Sequence, residues 1–166
     1  SGVLINTQFL RDVRLAEMGL ATSPAGDLQG RRVVVLGGGD VAFDCARTAL
    51  RLGASEVQIA CRGSRGAWPA SEHEVAAARE EGIELHIGLN YLGLIDDGAG
   101  TVDGLECERV ERFEFDQNGR PVAQVVPDSR FTISAEVAIF SVGQKAGLAF
   151  IPEDAGVGIT ASRTIA

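Results

Sequence analysis

Several absences bound this chain before any motif is read. No apolar run approaches the ~20 residues that a membrane-spanning helix needs, so no such helix is expected. No basic segment followed by an apolar stretch opens the sequence, so no signal peptide is expected. Cysteine is scarce. Cys45, Cys61 and Cys107 are odd in number and far apart, and they form no CxxC pair, disulfide framework or metal-ligand set. Cys45 and Cys61 read as small buried residues. The two histidines, His73 and His86, have no partner at ligand spacing; the first reads as exposed on a helix, the second as a strand residue at a sheet edge. Positive charge is in deficit, with 15 Lys+Arg against 23 Asp+Glu, a net charge of −8 and a pI near 4.7. That balance argues against general nucleic-acid or anionic-membrane partners. A reducing cytoplasm is the expected compartment.

What is present points to one chemistry. The chain has 166 residues and is 45% apolar, enough for one domain with a proper core. Val33-Val34-Val35-Leu36 reads as a strand covered on both faces. It runs into Gly37-Gly38-Gly39 and then into a helix from Asp40 to Leu52, which Gly53 closes. The spacing Gly37-x-Gly39-x-x-Ala42 is a dinucleotide fingerprint with alanine last. Glycine lets the backbone turn tightly and approach a diphosphate, while the helix directs its positive end at the same place. Glu56 to Cys61 reads as the next strand, so strand, turn, helix and strand fit one βαβ unit. A merely structural glycine turn and a methyltransferase-type nucleoside site are the competing readings.

The end of that second strand bears on which nucleotide binds. An NAD site usually carries Asp or Glu there for the ribose 2′-hydroxyl. Here the chain reads Cys61-Arg62-Gly63-Ser64-Arg65, without an acid. Arg62 and Arg65 can bind a 2′-phosphate through forked, charge-assisted hydrogen bonds, which favours NADP(H). The plainer alternative is two solvated loop charges.

Around this unit the reading is coarser. Residues 6–18 predict a helix capped by Asn6 or Thr7, with Phe9, Leu10, Val13 and Ala16 on one face. Ala21 to Gly30 reads as a linker. Ser71 and Glu74 form a capping box at the start of a helix ending near Gly82, and 83–87 reads as a third parallel strand. Short strands at 92–95, 102–107, 110–115 and 121–126, with turns at Asp96-Asp97-Gly98 and Asn118-Gly119, predict a β-meander. Glu136 to Gly143 reads as a buried strand returning beside the first, with Gly143 at the nucleotide crevice. Asp40 and Asp44 are read as helix-start carboxylates that cap and complement the dipole. Trp68 either covers an adenine or packs within its loop. The tail, 151–160, looks like a loop and the start of a strand. The fold class expected is α/β, a Rossmann-like parallel sheet with flanking helices and an antiparallel β-meander crossover.

Residues 33–52 (VVVLGGGDVAFDCARTALRL) with Gly53-Ala54, then Pro69-Ala70-Ser71, Glu74-Val75, 78–83 and 135–144, resemble the NADPH-binding domain of the glutamate synthase small (beta) subunit. The flavin part of dihydropyrimidine dehydrogenase and adrenodoxin-type ferredoxin–NADP reductase are similar. The resemblance implies a NAD(P) domain of the pyridine nucleotide-disulfide oxidoreductase type, in which NADPH gives hydride to FAD and electrons pass through iron–sulfur clusters to a partner subunit or second site. It implies that the backbone of Gly38, Gly39, Asp40 and Val41 holds the diphosphate, next to the first fingerprint glycine, Gly37, that Arg62 holds the 2′-phosphate with Arg65 as substitute for a missing second arginine at Gly63, and that Glu74 approaches the adenosine ribose unless it serves only the capping box. Gly143 and Gln144 would line the nicotinamide side. It further implies an excised domain: 1–29 a hinge helix and linker, 30–150 the NAD(P)H-binding domain, and 151–166 a return segment toward an FAD domain of the same parent chain. Hydride transfer needs no protein acid or base, so no catalytic residue is assigned. The expected function is NADPH presentation to FAD. A non-catalytic NAD(P)-sensing domain is the alternative, and a stand-alone dehydrogenase is disfavoured because no catalytic Tyr-Lys or His-acid set is visible.

Overall fold

A computed structural model describes residues 2–20, 27–63, 68–117, 121–143, 151, 152, 155–160 and 165. The strands are β1 (Val3–Ile5), β2 (Arg32–Leu36), β3 (Glu56–Cys61), β4 (Glu84–Ile87), β5 (Leu89–Asp96), β6 (Val102–Phe115), β7 (Pro121–Val125), β8 (Phe131–Ser134) and β9 (Val137–Phe140). The helices are α1 (Asn6–Glu17), α2 (Asp40–Arg51) and α3 (Glu72–Glu80). None of the described helices is long and apolar enough to cross a membrane.

Five strands form a parallel sheet in the order β1-β9-β2-β3-β4. Alternation along β2 explains its all-apolar sequence. Side chains i and i+2 share a face. Val33 and Val35 pack with Phe9, Phe43, Ala46 and Ile59 under the helices. Val34 and Leu36 pack on the other face with Leu89, Leu105, Ile133 and Ala138. That second face is covered by the antiparallel β5–β8 sheet, so the layers are helix, parallel sheet, meander. Each aliphatic side chain buried this way contributes about 1.5–3 kcal/mol relative to exposure.

The fingerprint unit, α3 and the strand at 84–87 form as the sequence predicts, and β9 returns beside β2 with Val33 opposite Val137. Four differences have local causes. The three residues before α1 form β1, which pairs with β9 and runs straight into the helix; Ile5 is therefore the N-cap residue, while Asn6, now the first helical residue, still accepts the Thr7 N–H on its Oδ1 at 2.7 Å. Residues 2–20 thus belong to the sheet and its helical layer, with α1 packed on α2. The two strands expected at 102–107 and 110–115 are one 14-residue strand, because its first half pairs with β5 and β8 and its second half with β7. A register shift between Val110 and Arg112 marks where the partners change. β8 was not foreseen; it is four residues long and follows Asp128, which has φ 52. In the tail, Ile159 and Ile165 form an isolated bridge. Most of the linker (21–26) and the Asn118-Gly119 turn lie outside the described residues.

Candidate functional site at the carboxyl edge of the parallel sheet

The glycine turn follows from three different steric demands. Gly37 has φ 146, and a Cβ there would run into the carbonyl oxygen of Ser141. Gly38 lies against β3; a Cβ there would strike Sγ of Cys61 and come within 3.2 Å of Pro69 Cδ. Its carbonyl accepts a hydrogen bond from Ala70 N–H at 2.9 Å. Gly39 is the N-cap of α2, and a Cβ there would meet no atom within 4 Å. No side chain caps α2; the Ala42 N–H donates to the Gly39 carbonyl at 2.8 Å, and the N–H groups of Asp40 and Val41, ahead of it, are ones that a helix leaves without an intrahelical acceptor. Asp40 does not occupy them. Its Oδ1 accepts from Ser71 N–H at 2.9 Å and ties the start of α2 to the start of α3. Asp40 therefore serves the neighbouring helix rather than capping its own. Ser71 accepts from Glu74 N–H at 3.3 Å, which is half of the expected capping box.

The turn opens into a cleft of about 990 Å³ at the carboxyl ends of β1, β9, β2 and β3. Ligands of open α/β sheets bind in this position. One wall is the turn with Asp40 and Val41. The second is Cys61, Arg62 and Gly63 at the end of β3, and the third is Asn6 with 140–143. Tyr91, Leu92 and Leu94 of the meander close the remaining side. Of the residues singled out from the sequence, the cleft brings together Gly37, Gly38, Gly39, Asp40, Val41, Arg62 and Gly143. Arg65 and Gln144 lie outside the described residues. Glu74 does not line the cleft. Its Oε2 accepts from Arg47 Nη1 at 3.1 Å, and Arg47 also binds Glu81, so the carboxylate joins α3 to α2. Trp68 is a packing residue, edge-on to Phe43 with ring centroids 5.5 Å apart.

Sequence reading missed Asn6, Tyr91 and Ser141. Asn6 Nδ2 donates to Ser141 Oγ at 3.2 Å, a buried polar pair on the cleft wall. The sequence marks Asn6 only as a candidate helix cap, and nothing in it announces the pair with Ser141, which spans 135 positions. Tyr91 is the only tyrosine of the chain, which could have drawn attention. Its hydroxyl donates to the Ala60 carbonyl at 2.6 Å, and its ring lies 5.0 Å beneath the Arg62 guanidinium. Burial, with the neighbouring Cys61, pushes the phenol above its ordinary value, while Arg62 pulls the other way. Burial also raises the Cys61 thiol, partly offset by the Gly63 N–H, so this sulfur is a neutral apolar wall at pH 7 and not a nucleophile. Arg62 brings a fixed positive charge, and its Nε is buried with no hydrogen-bond partner among the described residues. A buried donor left unpaired is costly, and an anionic ligand oxygen relieves that cost. Together, an uncapped helix start, an open glycine wall and an unpaired guanidinium donor suit a phosphorylated nucleotide.

Residues 4–166 match the model of the pyridine nucleotide-disulphide oxidoreductase family. The chain belongs to that family. Among similar proteins, the NADPH-Fe(3+) oxidoreductase subunit beta of Geobacter sulfurreducens is 38% identical over 157 residues, which is 95% of this chain and 22% of that protein. The glutamate synthase (NADPH) small chain of Escherichia coli is 42% identical over 120 residues, 72% of this chain and 25% of that protein. The chain thus spans a quarter or less of the length of these two relatives. Among solved structures, thioredoxin reductase from T. acidophilum superposes with a TM-score of 0.63 at 18% identity, over 83% of this chain and 39% of that one. Mycobacterium tuberculosis FprA in complex with NADPH gives 0.58 at 17% identity, over 84% and 43%. At such identities the likeness is one of fold. The fold of the chain is thus shared with these two structures.

Proposed function

We propose that this chain is the NADP(H)-binding domain of a flavin-dependent oxidoreductase similar to the glutamate synthase small subunit, and that it presents NADPH for hydride transfer to FAD. The observation that carries this reading is the placement of Arg62, with its unpaired Nε, in the same cleft as the open glycine turn. The N–H groups at the start of α2 hold the diphosphate, and Gly39 leaves the room for it. Arg62 engages the 2′-phosphate by charge-assisted hydrogen bonds. The wall at Phe140, Ser141 and Gly143 borders the nicotinamide end. Bound NADPH supplies a hydride. The chain's residues only bind and orient, and no acid or base is required of them. The FAD is held by another domain of the same parent chain. Iron–sulfur clusters and an electron-accepting subunit belong to that larger assembly. Similar relatives carry names with different acceptors, Fe(3+) in one and glutamate synthesis in another, which supports an acceptor set outside these residues.

The test is calorimetric titration of the full-length protein with NADPH and NADH. Wild-type protein should bind NADPH more tightly. Arg62→Ala should weaken NADPH about tenfold or more beyond any effect on NADH, the scale of a lost hydrogen bond to a charged group. Equal losses for both nucleotides would sink the 2′-phosphate assignment. Mixing with NADPH should bleach the flavin absorbance; NADPH binding without bleaching would favour a sensing domain instead.

A further inference from the structure

We propose that Tyr91 is a positioning residue for Arg62, and that the meander, through this tyrosine, sets the preference of the cleft for a 2′-phosphorylated nucleotide. The proposal rests on the reading of the cleft given above. Three observations carry it. Arg62 follows β3 directly, yet its guanidinium does not extend into solvent; it lies over the Tyr91 ring at 5.0 Å, and the residue is half-buried. The ring is itself fixed. Its hydroxyl donates to the Ala60 carbonyl at 2.6 Å, and the same oxygen accepts from Gly37 N–H at 2.8 Å. One carbonyl therefore joins the glycine turn to the ring that carries the arginine. Third, the Nε of Arg62 has no partner among the described residues. A guanidinium carries five N–H donors, and a cation held over an aromatic ring keeps those not turned to the ring for an oxyanion.

The physical consequence is preorganisation. A free arginine samples many rotamers and loses that freedom when it binds phosphate. An arginine already laid on a tyrosine has lost part of it beforehand, so more of the hydrogen-bond energy appears as affinity. The hydroxyl bond keeps the spacing between diphosphate turn and 2′-phosphate site constant, since both ends refer to Ala60. Neither the parallel sheet nor α2 supplies this contact. It comes from β5, where Tyr91 sits opposite the buried Cys107 of β6.

The experiment measures NADPH and NADH dissociation constants on the full-length protein, for wild type, Tyr91→Phe, Tyr91→Leu and Tyr91→Met, each alone and with Arg62→Ala. Tyr91→Leu removes the aromatic face and should lower the NADPH-over-NADH preference about three- to thirtyfold, the span of a partly desolvated cation–π contact. Tyr91→Phe keeps the aromatic face but loses the hydroxyl bond to Ala60, so it should lower the preference by less than Tyr91→Leu does, about threefold or less. In the Arg62→Ala background, replacing Tyr91 should leave the ratio unchanged, a coupling that a merely structural tyrosine would not show. Tyr91→Met, of similar reach, repeats the measurement if leucine disturbs folding. An unchanged ratio in whichever variant still binds NADH overturns the proposal. Loss of both nucleotides in both aliphatic variants overturns it also, since Tyr91 would then act on the fold alone. A wild-type protein that shows no preference for NADPH rejects the 2′-phosphate reading itself, a result distinguishable from a failure of Tyr91.

Discussion

Gly38 and Gly39 are adjacent, yet the structure gives them separable roles. A methyl group at Gly38 would press on Cys61 and Pro69, so Gly38→Ala should destabilise the fold by about 1–3 kcal/mol, the usual cost of overpacking. At Gly39 the added atom meets nothing, φ is −86, and serine is a better N-cap than most residues. Gly39→Ser should therefore leave the unfolding midpoint unchanged or slightly raised while weakening NADPH binding, because its side chain occupies the space and the donors offered to the diphosphate. Urea denaturation beside calorimetry checks both; a Gly39→Ser protein that binds NADPH as wild type does would remove the turn from the ligand site. The glycines and Arg62 were legible because their roles depend on spacing along the chain and on the end of a strand. Asn6, Ser141 and Tyr91 were not, because each reaches the cleft only through pairing of strands far apart in sequence. Glu74 shows the opposite case. Its position in the capping box was plain, but the side chain's partner, Arg47, lies 27 residues away on another helix.

At the scale of elements, α2 is the central member of the helical layer, packed on both α1 and α3. It is buried through Ala42, Phe43, Cys45, Ala46 and Ala49, and its polar side binds α3 through Arg47, which meets both Glu74 and Glu81. These side chains are only about a quarter exposed, at 23% for Arg47 and Glu74 and 29% for Glu81, so the network is less screened than a surface pair. Glu74→Gln should lower stability by about 0.5–1 kcal/mol, within the range of partly exposed ion pairs. It should leave NADPH affinity unaltered. A selective loss of NADPH affinity in that variant would return Glu74 to the ribose site. The elements themselves were readable where a single period governed them. The run at 33–36, the helix behind it and the strand at 56–61 each obey one pattern from end to end. β6 does not: it changes partners part-way, and the polar Glu108 and Arg109 near the exchange resemble a strand break. β1 has only three residues and no turn before α1, so no pattern could announce it.

The whole molecule must cover a parallel sheet on both faces, and it does so with helices on one side and the meander on the other. Each face then has its own buried core, with a group that prefers to be neutral in it. Cys45 and Cys107 lie one in each core, and burial pushes both thiols from an ordinary 9.0 up to about 12. A thiol with a raised folded value holds its proton longer in the native state than in the unfolded chain. Its contribution is complete below pH 9 and is lost as pH climbs toward 12. The acid side has the opposite sign. The hydrogen bond from Arg47 holds Glu81 below its ordinary 4.5, and the backbone N–H of Arg32 does so for Glu136. Their contribution is complete above pH 4.5 and fades as pH falls through the lowered folded values. Stability should therefore be flat from about pH 5 to 8.5 and fall on both sides, as read by urea midpoints across that range. The limbs have different owners. Replacing Cys45 and Cys107 by alanine should make the alkaline limb shallower without changing the acid limb, and Arg47→Met should flatten part of the acid limb alone. An alkaline limb of unchanged slope in the double cysteine variant would assign the high-pH loss to other groups, with the Cys61 thiol and the buried Tyr91 phenol, both also raised, as the next to replace.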